Sequence, residues 1–305
     1  MPTAIAPDAS APANPIAGVL WMLVSCVLLS GVAALGRMIA LEGVPVFQIV
    51  FLRLLFAAIA LAPLFYWRGT ELIHTDNLRL YSVRVVVGLI GMVLWFAALA
   101  YIPVGQVTAI GFLAPIFGTV GAALILGETV RWRRWLATIV GFLGALIILR
   151  PGVAEISVGM WYALAAAVGM AAAGLLIKSL TGRDDPDKVV MISVCLQTPI
   201  MAIPAILVWE WFEPWLWAAF VAIGIVGMLG HITLTRAFRA ADASLVMSLE
   251  FARLPFAVLL GFVLFGELID LWTWIGAGVI FAASVYTAHR ERQTRAARPV
   301  LTTTS

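Results

Sequence analysis

Apolar residues run along this chain in long, nearly unbroken stretches, and polar residues gather in short clusters between them. A hydrocarbon layer about 30 Å thick takes about 20 helical residues to cross. Ten stretches meet that length to within a few residues: 16–39, 45–66, 80–101, 104–126, 133–149, 158–180, 188–209, 215–238, 243–265 and 271–288. The breaks fall at Gly/Pro or charged punctuation, such as "EGVP" at 42–45, "RGTELIHTDN" at 68–77, "GETVRWRR" at 127–134, "TGRDDPDK" at 181–188 and "GELID" at 266–270. The pattern predicts an all-α polytopic membrane protein with ten transmembrane helices.

Composition removes the soluble alternatives. Of 305 residues, 63% are hydrophobic and 11% charged, and the mean hydropathy is +1.05. A soluble domain carries about 25% charged and 45–50% apolar residues; a chain apolar all round belongs in lipid. The net charge of +3 comes from residues spread over loops, so no nucleic-acid partner is expected. Cys26 and Cys195 both fall inside apolar runs and are expected as two buried free thiols. The first 15 residues lack the basic start of a secretory signal and read as a disordered cytoplasmic tail. Residues 290–305 read as a second, basic tail.

Loop charges set an orientation. The connections on the side of the termini hold Arg68, Arg79, Arg131, Arg133, Arg134, Lys178, Arg183, Lys188, Arg236 and Arg239, and the tail adds Arg290, Arg292, Arg295 and Arg298. The opposite connections hold only Arg37 and Arg150. By the positive-inside rule both termini are cytoplasmic. Tryptophans at the predicted span ends, among them Trp67, Trp132 and Trp135 on one side and Trp161, Trp211, Trp215 and Trp272 on the other, form an aromatic belt.

The chain also repeats itself. "ALAYIPVGQVTAIGFLAPIFGTVGAALILGETVRWRRWL" (98–136) resembles "AFRAADASLVMSLEFARLPFAVLLGFVLFGELIDLWTWI" (237–275). Gly127-Glu128 aligns with Gly266-Glu267, Trp135 with Trp274, Pro115 with Pro255, and Arg37 with Lys178. The units, 16–149 and 158–289, hold five spans each, and an odd number inserts the copies in opposite orientations. Inverted-topology repeats mark secondary transporters.

On these residues the chain resembles the drug/metabolite transporter superfamily, EamA type. The resemblance rests on "PIFGTVGAALILGE", "GFLGALIILRPG" and the second "GE…GAGVIF", and covers 16–289. It implies a bacterial inner-membrane carrier whose central cavity is lined chiefly by the third, fourth, eighth and ninth spans. The form "LEFARLPFAVLLGFVLFGELIDLWTWIGA" looks most like carriers for riboflavin and S-adenosylmethionine, with amino-acid exporters more distant.

Charge inside a span is costly and usually faces a cavity or a partner. The in-span charges are Arg53, Arg84, Glu250 and Arg253. At about 1.5 Å per residue, Arg53 lies about 12 Å from one surface, with Glu250 and Arg253 about 11 and 15 Å from the other. Two readings of this trio stay open. It is an ion pair pinning the second span to the ninth, or a site for an anionic or zwitterionic group in which Glu250 balances charge or carries a proton. Arg84 is shallow enough to snorkel outward and reads as structural. His231 is a candidate proton relay or a packed histidine. Trp95, Phe96 and Phe112 are candidates to stack on a flat ring or simply to pack. Pro115 and Pro255 should kink the fourth and ninth spans, while Glu128 and Glu267 read as caps or loop anchors.

No phosphate-binding glycine loop, metal-spaced cluster or hydrolytic triad is present, so no cofactor or metal is expected. A membrane enzyme would need a polar cluster at one face, and a channel a continuous polar stripe; neither is legible. The expectation is a non-enzymatic inner-membrane secondary carrier for a small organic metabolite. Riboflavin stands before S-adenosylmethionine and amino acids, and proton coupling and oligomeric state stay open.

Overall fold

The computed structural model describes residues 15–68, 75, 77–125, 132–150, 155–181, 184, 186–240 and 249–296. Among them every regular element is helical. The first half comprises α1 (Pro15–Leu41), α2 (Val46–Arg68), α3 (Leu78–Tyr101), α4 (Val104–Gly111), α5 (Ala114–Ile125) and α6 (Trp132–Leu149). The second comprises α7 (Val158–Thr181), α8 (Pro186–Leu207), α9 (Leu216–Ala240), a 3₁₀ turn (Glu250–Ala252), α10 (Arg253–Phe265) and α11 (Leu271–Ala296). Residues 1–14 of the expected N-terminal tail lie outside the described residues; Pro15 opens α1. At the other end α11 runs to Ala296, past the point where a tail was expected.

Four helices are each long and apolar enough to cross a membrane: Ile16–Leu41, Leu78–Tyr101, Val158–Ile177 and Leu216–Leu234. The fourth and ninth spans are broken instead, at matching places in the two halves. In the first, Phe112 and Leu113 donate to Ala109 and Ile110 in three-residue turns, and Pro115 enters the first turn of α5, where a missing N–H costs nothing. In the second, the 3₁₀ turn Glu250–Ala252 leads into α10, with Pro255 in its first turn. The packing repeats as well. Exchanging the halves maps α3 against α7 onto α9 against α1, and α5 against α7 onto α10 against α1. The α6–α11 and α2–α8 contacts map onto themselves.

Glycines set the closest seams, because their lack of a side chain lets helix backbones approach. A Cβ on Gly276 would lie 2.5 Å from the Gly144 carbonyl, and one on Gly144 2.8 Å from that of Gly276. The lipid-facing surface carries large apolar side chains, and tryptophans 161, 211, 215, 217, 272 and 274 are exposed at the end opposite the termini. Cys26 is buried as expected, but Cys195 is exposed. It shares a helical face with Ile203 and Ile206, each 66% exposed, on the outside of α8.

The Gly-Glu element of the second half joins the two halves. Gly266 takes a left-handed conformation (φ 66°) at the end of α10, which glycine adopts without penalty. Its N–H donates to Phe262 (2.9 Å), the bond of the αL helix closure, and that of Glu267 to Gly261 (3.1 Å). The chain reversal aims Glu267 into the first half. One carboxylate oxygen accepts from Arg37 Nε (2.8 Å) and the other from the Val104 N–H opening α4 (3.0 Å). Arg37 also donates to the Leu99 carbonyl (2.5 Å), near the end of α3. Both charged side chains are 12% exposed. Around them, Gln48 bonds the Glu210 backbone in both directions (2.9 and 3.2 Å), and Arg150 pairs with Asp270.

At the terminal side Asp184 accepts from Thr75 (3.0 Å), Asn77 (3.4 Å) and Tyr81 (3.2 Å), with Lys188 at 3.6 Å. Burial alone would raise its pKa; the three donors and Lys188 outweigh it and hold the group below its ordinary 3.8. Its contribution to stability is therefore present at neutral pH and is lost only as pH falls through the depressed folded value.

Breaking a buried pair leaves an uncompensated charge, at a cost of about 3–5 kcal/mol. Glu267→Ala should therefore lower the thermal unfolding midpoint in detergent strongly. Adding Arg37→Met should recover part of the loss, because the stranded guanidinium goes too. A midpoint unchanged by Glu267→Ala would mean that the pair does not hold the two halves.

Candidate substrate-binding site

Four residues of α3 define the site's long wall. Arg84, Gly88, Met92 and Trp95 are each partly exposed and lie within about 80° of one another around the helix. The lipid-facing positions of α3, Val83, Val86 and Ile90, are on other faces and more exposed. The stripe therefore opens toward the interior. Over it sits Arg53 of α2, its Nη1 3.1 Å from the Met92 sulfur and its guanidinium carbon 5.7 Å from the centre of the Phe96 ring. Gly227 of α9 gives it room: a Cβ there would lie 3.6 Å from Nη2. Near the middle of the stripe, a Cβ on Gly88 would come 3.3 Å from the Gln197 side-chain nitrogen of α8.

His231 stands one turn from Gly227, on the terminal side. The outer face of α9 is marked by Val221, Ile225 and Leu229, all exposed. His231 is about 200° round from Leu229 and is exposed as well, so its exposure is to the interior. The charges of Arg53, Arg253 and Arg84 all act on it, which gathers α2, α3, α9 and α10 around one space.

The charges there are unequal. Arg253 pairs with Glu250 at 3.8 Å, too long for a hydrogen bond, and the Glu250 side chain is 40% exposed. Such a loose, wetted pair is worth about 0–1 kcal/mol. Glu250 thus pairs within its own element, and an ion pair from Arg53 to Glu250 does not form. Arg53 instead meets a sulfur and a ring face, and its Nε is buried without a hydrogen-bond partner. The same is true of Arg84 Nε and Nη1. A dehydrated donor left unsatisfied costs about 1–3 kcal/mol, more when charged. Three guanidiniums against one carboxylate make a space that takes acceptor oxygens or negative charge.

The sequence-derived candidates divide accordingly. Arg53, His231, Arg253 and Glu250 converge, and Trp95 stands on the stripe. Phe112 does not join them: it is 5% exposed in the turn between α4 and α5, within the main apolar core. Pro115 and Pro255 occupy the first turns after the two breaks. Arg84 read as structural from its shallow depth, and the structure places it on the same stripe. The overlooked signal was its helical phase, which it shares with Gly88, Met92 and Trp95. Also unread were two polar residues of α1. Ser30 donates to the Arg253 carbonyl (3.0 Å) and Cys26 to that of Leu249 (3.5 Å), closing the backbone at the second break. Thr119 and Glu128 lie outside the residues whose side chains are described.

A separate recess of about 340 Å³ opens at the end opposite the termini, lined by residues including Glu42, Glu210, Glu213, Phe212 and Leu216. It is acidic, and none of the site residues above lines it.

An all-helical bundle with two breaks at membrane depth and a charged interior is the architecture of a polytopic membrane transporter. The chain belongs to the EamA-like transporter family, whose pattern matches residues 16–150 and 157–288. It is 30% identical to a riboflavin transporter of Vibrio cholerae over 88% of this chain and 91% of that one. It is 27% identical to an S-adenosylmethionine uptake transporter of Rickettsia bellii over 90% and 94%. One solved crystal structure superposes with a TM-score of 0.62 at 18% identity, covering 91% of this chain and 98% of that one, which shows the fold alone. The protein is thus a bacterial membrane transporter for a small metabolite and not an enzyme.

Filling the space beside Arg53 tests the site without touching a charge. A Cβ at Gly227 makes ordinary contact with the guanidinium, but a larger side chain must displace it. Gly227→Ala should transport normally. Gly227→Leu should fall about as far as Arg53→Gln, at equal membrane abundance, in a substrate-uptake assay.

Proposed function

We infer that the protein is an inner-membrane secondary carrier with both termini in the cytoplasm, and that riboflavin is its substrate. The observation that carries this reading is the Arg53 guanidinium, dehydrated beside Phe96 with its Nε unpartnered. Riboflavin is uncharged, flat and edged with carbonyl oxygens, so it supplies the missing acceptors and a ring for the partly exposed Trp95 to face. An arginine fork matches such an edge in two-point geometry. The relative named a riboflavin transporter supports the same choice. Arg253 and Glu250 would balance charge beside the ligand, and two inverted five-helix units would rock about it in alternating access.

S-adenosylmethionine is the second reading, favoured by the other relative's name. Its sulfonium and ammonium outnumber its carboxylate, so it would bring net positive charge into a space already richer in guanidinium than carboxylate. That mismatch places it behind riboflavin.

Counterflow in proteoliposomes with labelled riboflavin, S-adenosylmethionine and phenylalanine separates the readings. Riboflavin should exchange and the other two should not. Arg53→Gln should lower riboflavin exchange at least about tenfold, the loss of about 1.4 kcal/mol, and Glu250→Gln should reveal any proton coupling as a lost response to a pH gradient. Exchange of S-adenosylmethionine alone would reverse the order of the two readings.

A further inference from the structure

Arg84 poses a problem that the function above does not absorb. Its Nε and Nη1 are buried and have no hydrogen-bond partner. A snorkelling arginine would reach water. A structural arginine would be paired, as Arg37 is in this same protein with Glu267 and the Leu99 carbonyl. The nearby carboxylate, Asp184, is already engaged by Thr75, Asn77, Tyr81 and Lys188. The Nε and Nη1 of Arg84 thus neither reach solvent nor hold the fold by a hydrogen bond.

Its position gives the missing role. Arg84 and Met92 lie two turns apart on the interior stripe of α3, about 12 Å along the axis. Arg53 sits at Met92 and Phe96. Between the two arginines the buried Gln197 amide packs on Gly88, where a Cβ would come 3.3 Å from its nitrogen, so its donor lies along the path that joins them. The site is therefore elongated, with unsatisfied guanidinium donors at both ends and aromatic surface at one. We propose that Arg84 is the second pole of the substrate site, and that the ligand is an elongated metabolite with acceptor oxygens at both ends. Resting on the riboflavin reading, the carbonyl edge of the ring lies at Arg53 and the polyol chain runs along α3 past Gly88, its hydroxyl oxygens accepting from Arg84.

Lumiflavin, which has the same ring with a methyl in place of the polyol, isolates this pole. Counterflow KM values for riboflavin and lumiflavin are compared in wild-type protein, Arg84→Gln, Arg84→Lys and Arg53→Gln, with thermal unfolding measured on each. The wild type should prefer riboflavin about tenfold or more. Arg84→Gln should raise the riboflavin KM about tenfold and leave lumiflavin within about twofold, the loss of one charge-assisted contact. Arg84→Lys should retain part of the preference, and Arg53→Gln should weaken both ligands. A riboflavin-to-lumiflavin ratio unchanged in Arg84→Gln overturns the role of Arg84 while leaving the riboflavin reading intact. Equal weakening of both ligands together with a lowered unfolding midpoint also overturns it, by making Arg84 structural. A wild-type protein that exchanges neither flavin overturns the riboflavin reading and this extension with it.

Discussion

Inside hydrocarbon no water bonds to the backbone, and a helix that stops there must be closed by other protein atoms. Two spans of this protein stop part-way, and the arrangement of the rest follows from how their ends are satisfied. At the second break the carbonyls of Leu249 and Arg253 are taken by Cys26 and Ser30, which fixes α1 against α10. At the start of α4 the free N–H of Val104 is taken by Glu267, which fixes the α10–α11 turn against the first half. Glu267 is charged, so it needs Arg37, and Arg37 in turn holds the end of α3 through Leu99. One closure at a helix end thus ties α1, α3, α4 and α10 into a single unit. The Gly-Glu dipeptide is the shortest sequence able to do this: glycine turns the chain, and the next side chain carries the carboxylate.

The interior of the bundle is treated in the opposite way. Where the fold needs a charge it supplies the partner, as for Arg37 with Glu267 and the Leu99 carbonyl; Arg150, though paired with Asp270, keeps a buried Nε without a hydrogen bond. Around the α3 stripe it leaves guanidinium donors open and the one carboxylate loosely held. The contrast within one chain separates charges that hold the structure from charges kept for something else. It also gives substrate selection a sign. A ligand bringing acceptor oxygens relieves an existing cost, whereas one bringing positive charge adds to it.

Span number and the repeat were legible in the sequence because each leaves a mark in length or spacing; Pro115 and Pro255 were expected as kinks, whereas the helices break just before them and the prolines lie in the next first turns. The role of Glu267 was legible as a cap because the dipeptide recurs. Which way a side chain faces was harder to read. Lipid is as apolar as a protein core, so an apolar run does not separate inward from outward positions, and Cys195 was misplaced for that reason, while Phe112 packs in the core, one of the two readings its sequence left open. Depth alone did not place Arg84 on the interior stripe. Its phase with Gly88, Met92 and Trp95 matters more than its distance from the surface, but phase becomes informative only once the outer face of α3 is known from Val83, Val86 and Ile90.

The two halves share a packing scheme without being equivalent. Exchanging them should pair α1–α3 with α7–α9, yet α1 packs along α3 while no contact of that extent joins α7 to α9 among the described residues. The extra contact lies where Arg37 meets Leu99, at the end opposite the termini. The interior exposure of His231, by contrast, lies toward the terminal side. Among the described residues the Arg37–Glu267 and Arg150–Asp270 pairs tie the end opposite the termini and the Asp184 cluster ties the terminal side, and the arginine stripe runs between them. A carrier built from inverted repeats has two such arrangements available, because each contact in one half has a mirror place in the other. The charged pair of the second half, Glu250 and Arg253, has no such mirror: glycine and alanine stand at the corresponding positions, Gly111 and Ala114. What the repeat supplies is thus the framework, and what breaks the repeat is a charged pair that only the second half carries.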